Sequence, residues 1–249
     1  MTWGAQRKTY IILGLIVFFS IPVFTWLFLL LYEAPNCSDG LQNGQENGID
    51  CGGSCDLICT QDVEPLSTVW YRTFPESQTA VTGIALIENK NNAAEARSVP
   101  MTFALFSEGL EIDSKTQLVT LVPQKRTPVI IKGLEFGASQ IDFTSFAVGQ
   151  PDGWYKKTVE EKLIRISNER IDNSQGRVKI FAIVSNESFT EQYIDIDFAV
   201  IAYNVEGNVI GYSTTYLESF APQSREEIFL TWTQALEEKI SRIEIIPLI

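Results

Sequence analysis

The first strong pattern along the chain is an unbroken apolar run. Residues 10–32, YIILGLIVFFSIPVFTWLFLLLY, hold 23 positions without one charge. At about 1.5 Å rise per residue that is about 35 Å of helix, enough to cross a hydrocarbon core of about 30 Å with some tilt. A buried core helix would break such a run with polar positions every few residues. A cleaved signal peptide has an apolar stretch of only about 7–15 residues and a small-residue cleavage site. This run leads instead into Glu33, Ala34 and Pro35, which are also a poor lipoprotein signal ahead of Cys37. The pattern predicts a retained transmembrane helix over residues 10–32. Pro22 predicts a kink near Ser20–Val23, and Tyr10, Trp26 and Tyr32 fall where amphipathic rings favour the two interfaces.

After Pro65 the period changes from unbroken to two. Val178, Ile180, Ala182 and Val184 alternate with polar positions, and Ile194, Ile196, Phe198, Val200 and Ala202 do so again, with Asp195 and Asp197 on the other face. Period-two patterning marks strands with one buried face. Glu206-Gly207-Asn208, between two such runs, is a hairpin signal. A further strand precedes Ala221-Pro222-Gln223-Ser224, another opens at Ile228–Trp232, and a last one is predicted over Ile240–Pro247. Only Thr233–Lys239 reads as a helical turn.

The preceding hundred residues repeat this text. Ala85–Asn89 (ALIEN) matches Ala182–Asn186 (AIVSN), Thr102–Phe106 matches Asp197–Ile201, and Leu121–Pro123 matches Phe220–Pro222. The near-constant offset predicts two copies of one domain, with loop-length drift between them. Many short strands with regular turn signals argue for sandwiches. The expected fold class is therefore all-β: two tandem immunoglobulin-like antiparallel β-sandwiches, an N-terminal transmembrane α-helix and a small disulfide-rich segment. The expected limits are 1–9 for a cytoplasmic tail, 10–32 for the helix, 33–61 for the cysteine segment, 62–153 for the first sandwich and 158–249 for the second. Trp154–Lys157 is the expected boundary.

All four cysteines lie in the short segment between helix and sandwiches: Cys37, Cys51, Cys55 and Cys59. An even, clustered count in a segment read as external predicts two disulfides, with three pairings open. Leu41, Ile49, Leu57 and Ile58 are too few to fold the segment by burial alone. Asp39, Asn43, Glu46 and Asp50 place four oxygen-bearing side chains in the same glycine-rich loop, which makes them candidate calcium ligands. Asp, Asn and Gly are also ordinary turn formers. The spacing is not that of an EF-hand. A thiolate metal cluster is disfavoured by the lack of histidine and by the cysteine spacing.

Charge sets the orientation and narrows the partners. Arg7 and Lys8 precede the span while Glu33 and Asp39 follow it, so residues 1–9 are expected in the cytoplasm and 33–249 outside. Without Arg7 and Lys8 the chain has 17 basic against 31 acidic residues, a net charge of −14. Such a surface repels nucleic acid. The expected partners are the membrane and other envelope proteins.

With no histidine in the chain, Ser-His-Asp and Cys-His nucleophile systems and the HExxH metal site are excluded. No GxSxG, P-loop or GxGxxG occurs. Asp195 and Asp197 are the acid pair nearest to a glycosidase arrangement, but they sit on a face that reads as solvated. Trp70, Tyr71, Trp154, Tyr155, Tyr212 and Tyr216 are candidates for a carbohydrate or peptide patch; strand aromatics more often pack as core or cross-strand pairs. Asn186-Glu187-Ser188 fits the N-glycosylation pattern.

Two resemblances follow from these residues. The string from Cys37 to Cys55, C-x-D-G-x-x-N-G-x-E-x-G-x-D-C-G-G-x-C, resembles a cysteine motif of secreted and cell-surface proteins, bacterial ones above all. It implies an extracellular setting and no activity. Val200–Asn204 (VIAYN), the following Glu206–Gly211 and the later Leu217–Pro222 resemble bacterial FxLYD-type immunoglobulin-like domains. Val200, Ala202 and Asn204 depart from that pattern. The resemblance implies an antiparallel sandwich and carries over no catalytic residue. Together the readings predict a non-catalytic, membrane-anchored envelope protein whose sandwiches serve interaction or spacing. The alternatives are a subunit of a membrane or surface complex and an accessory module of an envelope enzyme. Gly14, Ser20 and Thr25 are too scattered for a small-residue helix seam.

Overall fold

The computed structural model describes residues 3–31, 36–158, 163–172, 178–232, 236 and 238–248. Tyr32 and most of the expected turn at 233–239 lie outside them. The chain divides into two compact units, residues 1–55 and 56–249. In the first, helix α1 spans Trp3–Leu31 and includes Pro22. Helical structure runs unbroken through Pro22, so the expected disturbance does not interrupt the helix. No residue of the apolar stretch Tyr10–Phe28 is buried by protein. Its serine and threonine turn back on the helix: Ser20 Oγ donates to the Val17 carbonyl at 3.1 Å and Thr25 Oγ1 to that of Ile21 at 2.8 Å. That return bonding is how a hydroxyl is satisfied in an apolar medium.

The second unit is all-β, built from antiparallel sheets. Strands β2 (Ser67–Pro75), β3 (Ala80–Asn89) and β6 (Lys125–Glu135) form one sheet in the order β2-β3-β6. Facing it, β4 (Ala94–Ser107) pairs with β5 (Leu110–Leu121) and β7 (Phe143–Val148). Two short strands, β8 (Gly153–Lys156) and β1 (Leu57–Ile58), extend that sheet beside β4. The second sandwich repeats the plan. Strands β9 (Ile164–Asp172), β10 (Lys179–Asn186) and β13 (Arg225–Thr231) take the order β13-β10-β9, and β11 (Tyr193–Tyr203), β12 (Val209–Phe220) and β14 (Arg242–Leu248) take the order β12-β11-β14. Strand for strand, β2–β7 correspond to β9–β14 with the same pairings.

The matched sequence segments fall on matched places. Phe103 in β4 and Phe198 in β11 are fully buried at the centre of their sandwiches, and Leu121 and Phe220 close β5 and β12 with equally full burial. Val81, Ala85, Ile87, Met101, Phe103 and Leu134 are among the residues of the first core, and Ile180, Ala182, Val184, Phe198, Val200 and Ile228 among those of the second. The expected hairpin joins β11 to β12, with Gly207 at φ 84°, a backbone conformation that glycine adopts without steric cost.

Three sequence readings need correction. Trp154–Lys156 belongs to β8 rather than to a boundary segment, and Trp154 is buried in the first core. Ile194 does not share the core face with Ile196 and Phe198 but is 71% exposed. Asp195, at φ 51°, is skipped in the pairing of β11 with β12. The β11–β12 register is the same on either side of it; the left-handed backbone at this one residue breaks the extended strand, so the alternation does not carry through to Ile194. In β4, Ser98, at φ 50°, lies where the register with β5 shifts between Ala96 and Val99. Asn186, finally, is buried and its amide nitrogen is bonded to three carbonyls, so it is closed to glycosylation in the folded chain.

The two sandwiches share a third apolar cluster. Leu86 of the first meets Ile201, Tyr203, Val209 and Ile246 of the second, with Trp70 and Phe74 packed against them. Trp70 stands edge-on to Tyr203 at 6.5 Å between centroids, and Phe74 lies 5.4 Å from Tyr212. Arg72 donates a hydrogen bond to the Val209 carbonyl. This contact explains why Ile84–Ile87 and Phe198–Tyr203 are apolar without alternation: one face of each strand fills its own sandwich, and the other packs between sandwiches.

Candidate functional site

The cysteine loop of the first unit was the sequence's best candidate for chemistry. Cys37 and Cys55 are joined by a disulfide; Cys51 and Cys59 are disulfide-bonded as well, and no cysteine is free. Of the three open pairings the structure thus selects the one with Cys37 on Cys55. Cys37, Glu46 and Cys55 place their ligand atoms within 4.8 Å of one another, but disulfide sulfurs offer no thiolate to a metal. Glu46 Oε1 lies 3.4 Å from Cys55 Sγ, a contact without a proton to share.

The four candidate calcium residues are brought together, and each locks the loop. Asp50 Oδ1 accepts the backbone N–H of Asp39 at 2.9 Å, and its two oxygens accept that of Gly40 at 3.1 and 2.9 Å. Asp39 Oδ1 accepts the N–H of Leu41 at 2.9 Å, and its Oδ2 accepts Asn43 Nδ2 at 2.8 Å. Glu46 Oε2 receives the N–H groups of Asn43 and Asp50 at 3.2 and 3.3 Å. The hydrogen bonds from Asn43 and Leu41 hold the Asp39 carboxyl below its usual range. Asn43 meets Asp39 through its amide nitrogen, which satisfies a carboxylate with no cation between them. The three carboxylates and the Asn43 amide nitrogen serve as turn locks, whereas Asn43 Oδ1 is buried and meets no donor among the described residues; coordination of Ca²⁺ would be an additional role for these oxygens. Gly53 shows why the motif has a second glycine: at φ 54°, a Cβ there would lie 1.5 Å from the Gln45 carbonyl oxygen.

The remaining candidates disperse. Asp195 and Asp197 are exposed on β11. Of the aromatic set, Trp70 lies between the sandwiches, Tyr71 packs near Phe103 and Phe146, and Trp154 is core. Tyr155 lies under the Arg97 guanidinium, 4.1 Å from its centroid. Tyr216 is exposed. They form no common patch.

What the sequence did not reveal is a groove of about 600 Å³ where the sandwiches meet. Residues 72–76 of β2 and the turn after it form one wall, and residues 209–214 of β12 form the other, with Lys132, Trp232, Leu236 and Glu238 completing it. Glu76 Oε2 accepts the Gly133 N–H at 2.7 Å and the Thr82 hydroxyl at 2.9 Å, and these bonds lower its pKa. Burial raises that of Tyr212, with Thr82 acting against the rise. Glu238 accepts Asn204 Nδ2 at 2.5 Å. Of these residues, only Tyr212 is among the candidates the sequence offers. The available signal for the rest was indirect: the unbroken apolar runs that bring the two sandwiches together.

The chain matches no protein-family model, and no curated protein resembles it significantly. The case for function therefore rests on fold and chemistry.

Proposed function

We propose that this is a membrane-anchored, non-catalytic envelope protein: α1 stays in the bilayer, and a disulfide-tied foot and two sandwiches stand outside the cytoplasm as a display or spacing module. The observation that carries this reading is the pairing of an apolar helix with no buried residue in its span with a β-rich remainder in which every cysteine is oxidised. An apolar surface of that length is stable only in lipid, and disulfides persist in oxidising compartments. The resemblance of the second sandwich to FxLYD-type domains points to the same setting, as does the charge asymmetry across the helix. The absence of histidine from the chain and the use of its grouped carboxylates as turn locks favour a non-catalytic role.

The test uses cells carrying the chain with a C-terminal tag. External protease is expected to remove the tag from intact cells, and a membrane-impermeant maleimide is expected to label cysteines only after reduction. A tag protected until lysis, together with four reactive thiols, would overturn the proposal.

A further inference from the structure

From the groove between the sandwiches we infer a docking site for an extended peptide segment of a second protein, held by strand addition. The inference rests on reading the chain as a display module and names the class of partner it displays to. Three observations carry it. First, both long walls are runs of consecutive residues, 72–76 and 209–214. A strand that presented one face would contribute every second residue, so the groove is bordered by strand edges. Both β2 and β12 are terminal in their sheets, and terminal strands carry outward backbone N–H and C=O groups that lack a partner strand. Second, one such edge group is already used: Val209 offers its carbonyl to Arg72 across the groove. That bond shows the β12 edge turned toward β2, and it closes one end. Third, the indole N–H of Trp232 in the groove wall is buried, with the residue 7% exposed, and meets no acceptor among the described residues.

The lining suits a peptide better than an apolar small molecule, whose sites are mainly hydrophobic. Arg72, Lys132, Glu76 and Glu238 offer both charges, and the mutually packed rings of Phe74 and Tyr212 add one apolar surface to the lining. Main-chain hydrogen bonds along an edge supply affinity, and alternate side chains supply specificity.

The experiment pans a displayed library of random decapeptides against the full chain in nanodiscs, in parallel with the variant Thr214→Trp, which fills the groove from an exposed edge position. Enriched peptides with period-two patterning are expected, and Thr214→Trp is expected to weaken them about tenfold or more. Bound to the unaltered chain, they are expected to slow backbone amide exchange within residues 72–76 or 209–214. This second measurement needs no variant and stands if Thr214→Trp misfolds. Failure to enrich any peptide, equal binding to a folded Thr214→Trp, or unchanged amide exchange would each overturn the inference. So would a chito-oligosaccharide that occupies the groove and leaves those amides unprotected. Since the nanodisc assay is indifferent to orientation in the cell, its failure is separable from that of the protease test.

Discussion

Asn89 and Asn186 perform the same task in the two sandwiches. Each ends the inner strand of one sheet, is buried, and turns its side-chain N–H₂ to carbonyls in the facing sheet or in the turns beside it. Asn89 Nδ2 donates to Ala94 at 2.8 Å and Leu121 at 2.9 Å. Asn186 Nδ2 donates to Glu191 at 2.8 Å, Phe220 at 3.2 Å and Ala221 at 3.0 Å. Their Oδ1 atoms accept the N–H two residues on, from Asn91 and Ser188. Gln124 and Gln223, at φ 53° and 55°, return a backbone N–H to Asn91 and Ser188 in turn. The side chain thus bridges two sheets where the chain crosses from one to the other.

Replacing either asparagine by alanine strands those carbonyls. An unsatisfied buried group costs about 1–3 kcal/mol, so Asn89→Ala and Asn186→Ala are each expected to lower stability by about 2–4 kcal/mol. Urea denaturation of the detergent-solubilised chain measures it. A loss under about 0.5 kcal/mol, the range of an ordinary surface change, would refute the bridging role.

The cluster between the sandwiches predicts coupled unfolding. Leu86 is buried against the second sandwich rather than in its own core. Leu86→Ala is expected to cost about 2–5 kcal/mol and to split one calorimetric transition into two. If the native chain already melts in two well-separated steps, the sandwiches are not coupled.

Tyr203 makes that contact sensitive to alkali. Burial, reinforced by the hydrogen bond to Glu244, raises its pKa from 10.0 to about 12; the hydroxyl donates to Glu244 Oε2 at 2.8 Å, and Arg242 lies over the ring at 4.0 Å. A raised folded-state pKa means that its stabilisation is complete below pH 10.0 and is lost as pH rises through about 12. Tyr203→Phe is expected to cost about 1 kcal/mol at neutral pH and to flatten the stability profile in that window. Tyrosinate absorbance, followed with thermal melting, reads both.

For the cysteine loop, the turn-lock geometry predicts that the carboxylates act without a cation. Melting temperature is expected to be the same in excess Ca²⁺ and in chelator, whereas Asp50→Ala is expected to open the loop to protease. A melting point that falls on chelation would instead assign these oxygens to calcium.

Gly53→Ala places a methyl group against the Gln45 carbonyl in a backbone conformation strained for alanine. Oxidative folding is expected to yield chains with reactive thiols, counted by alkylation without reduction. Normal, complete oxidation of the variant would show that the loop has room.

Much of the architecture is local information. The length of the charge-free run determines the helix, because each covered residue needs an apolar side chain. The period of two in Val178–Val184 determines strand and face, and the repeated Asn, Phe and Pro positions determine that one sandwich is made twice. The clustered cysteines determine a cross-linked foot. The tertiary structure decided what no period encodes. Asp195 sets the exposure of Ile194 through its positive φ, a choice of backbone angle that the alternating pattern did not reveal. Ile84–Ile87 and Phe198–Tyr203 read as strands from either end, but only packing between the sandwiches shows why both faces are apolar. The groove exists for the same reason. Its walls come from residues about 140 positions apart, and their meeting depends on the docking of two finished domains.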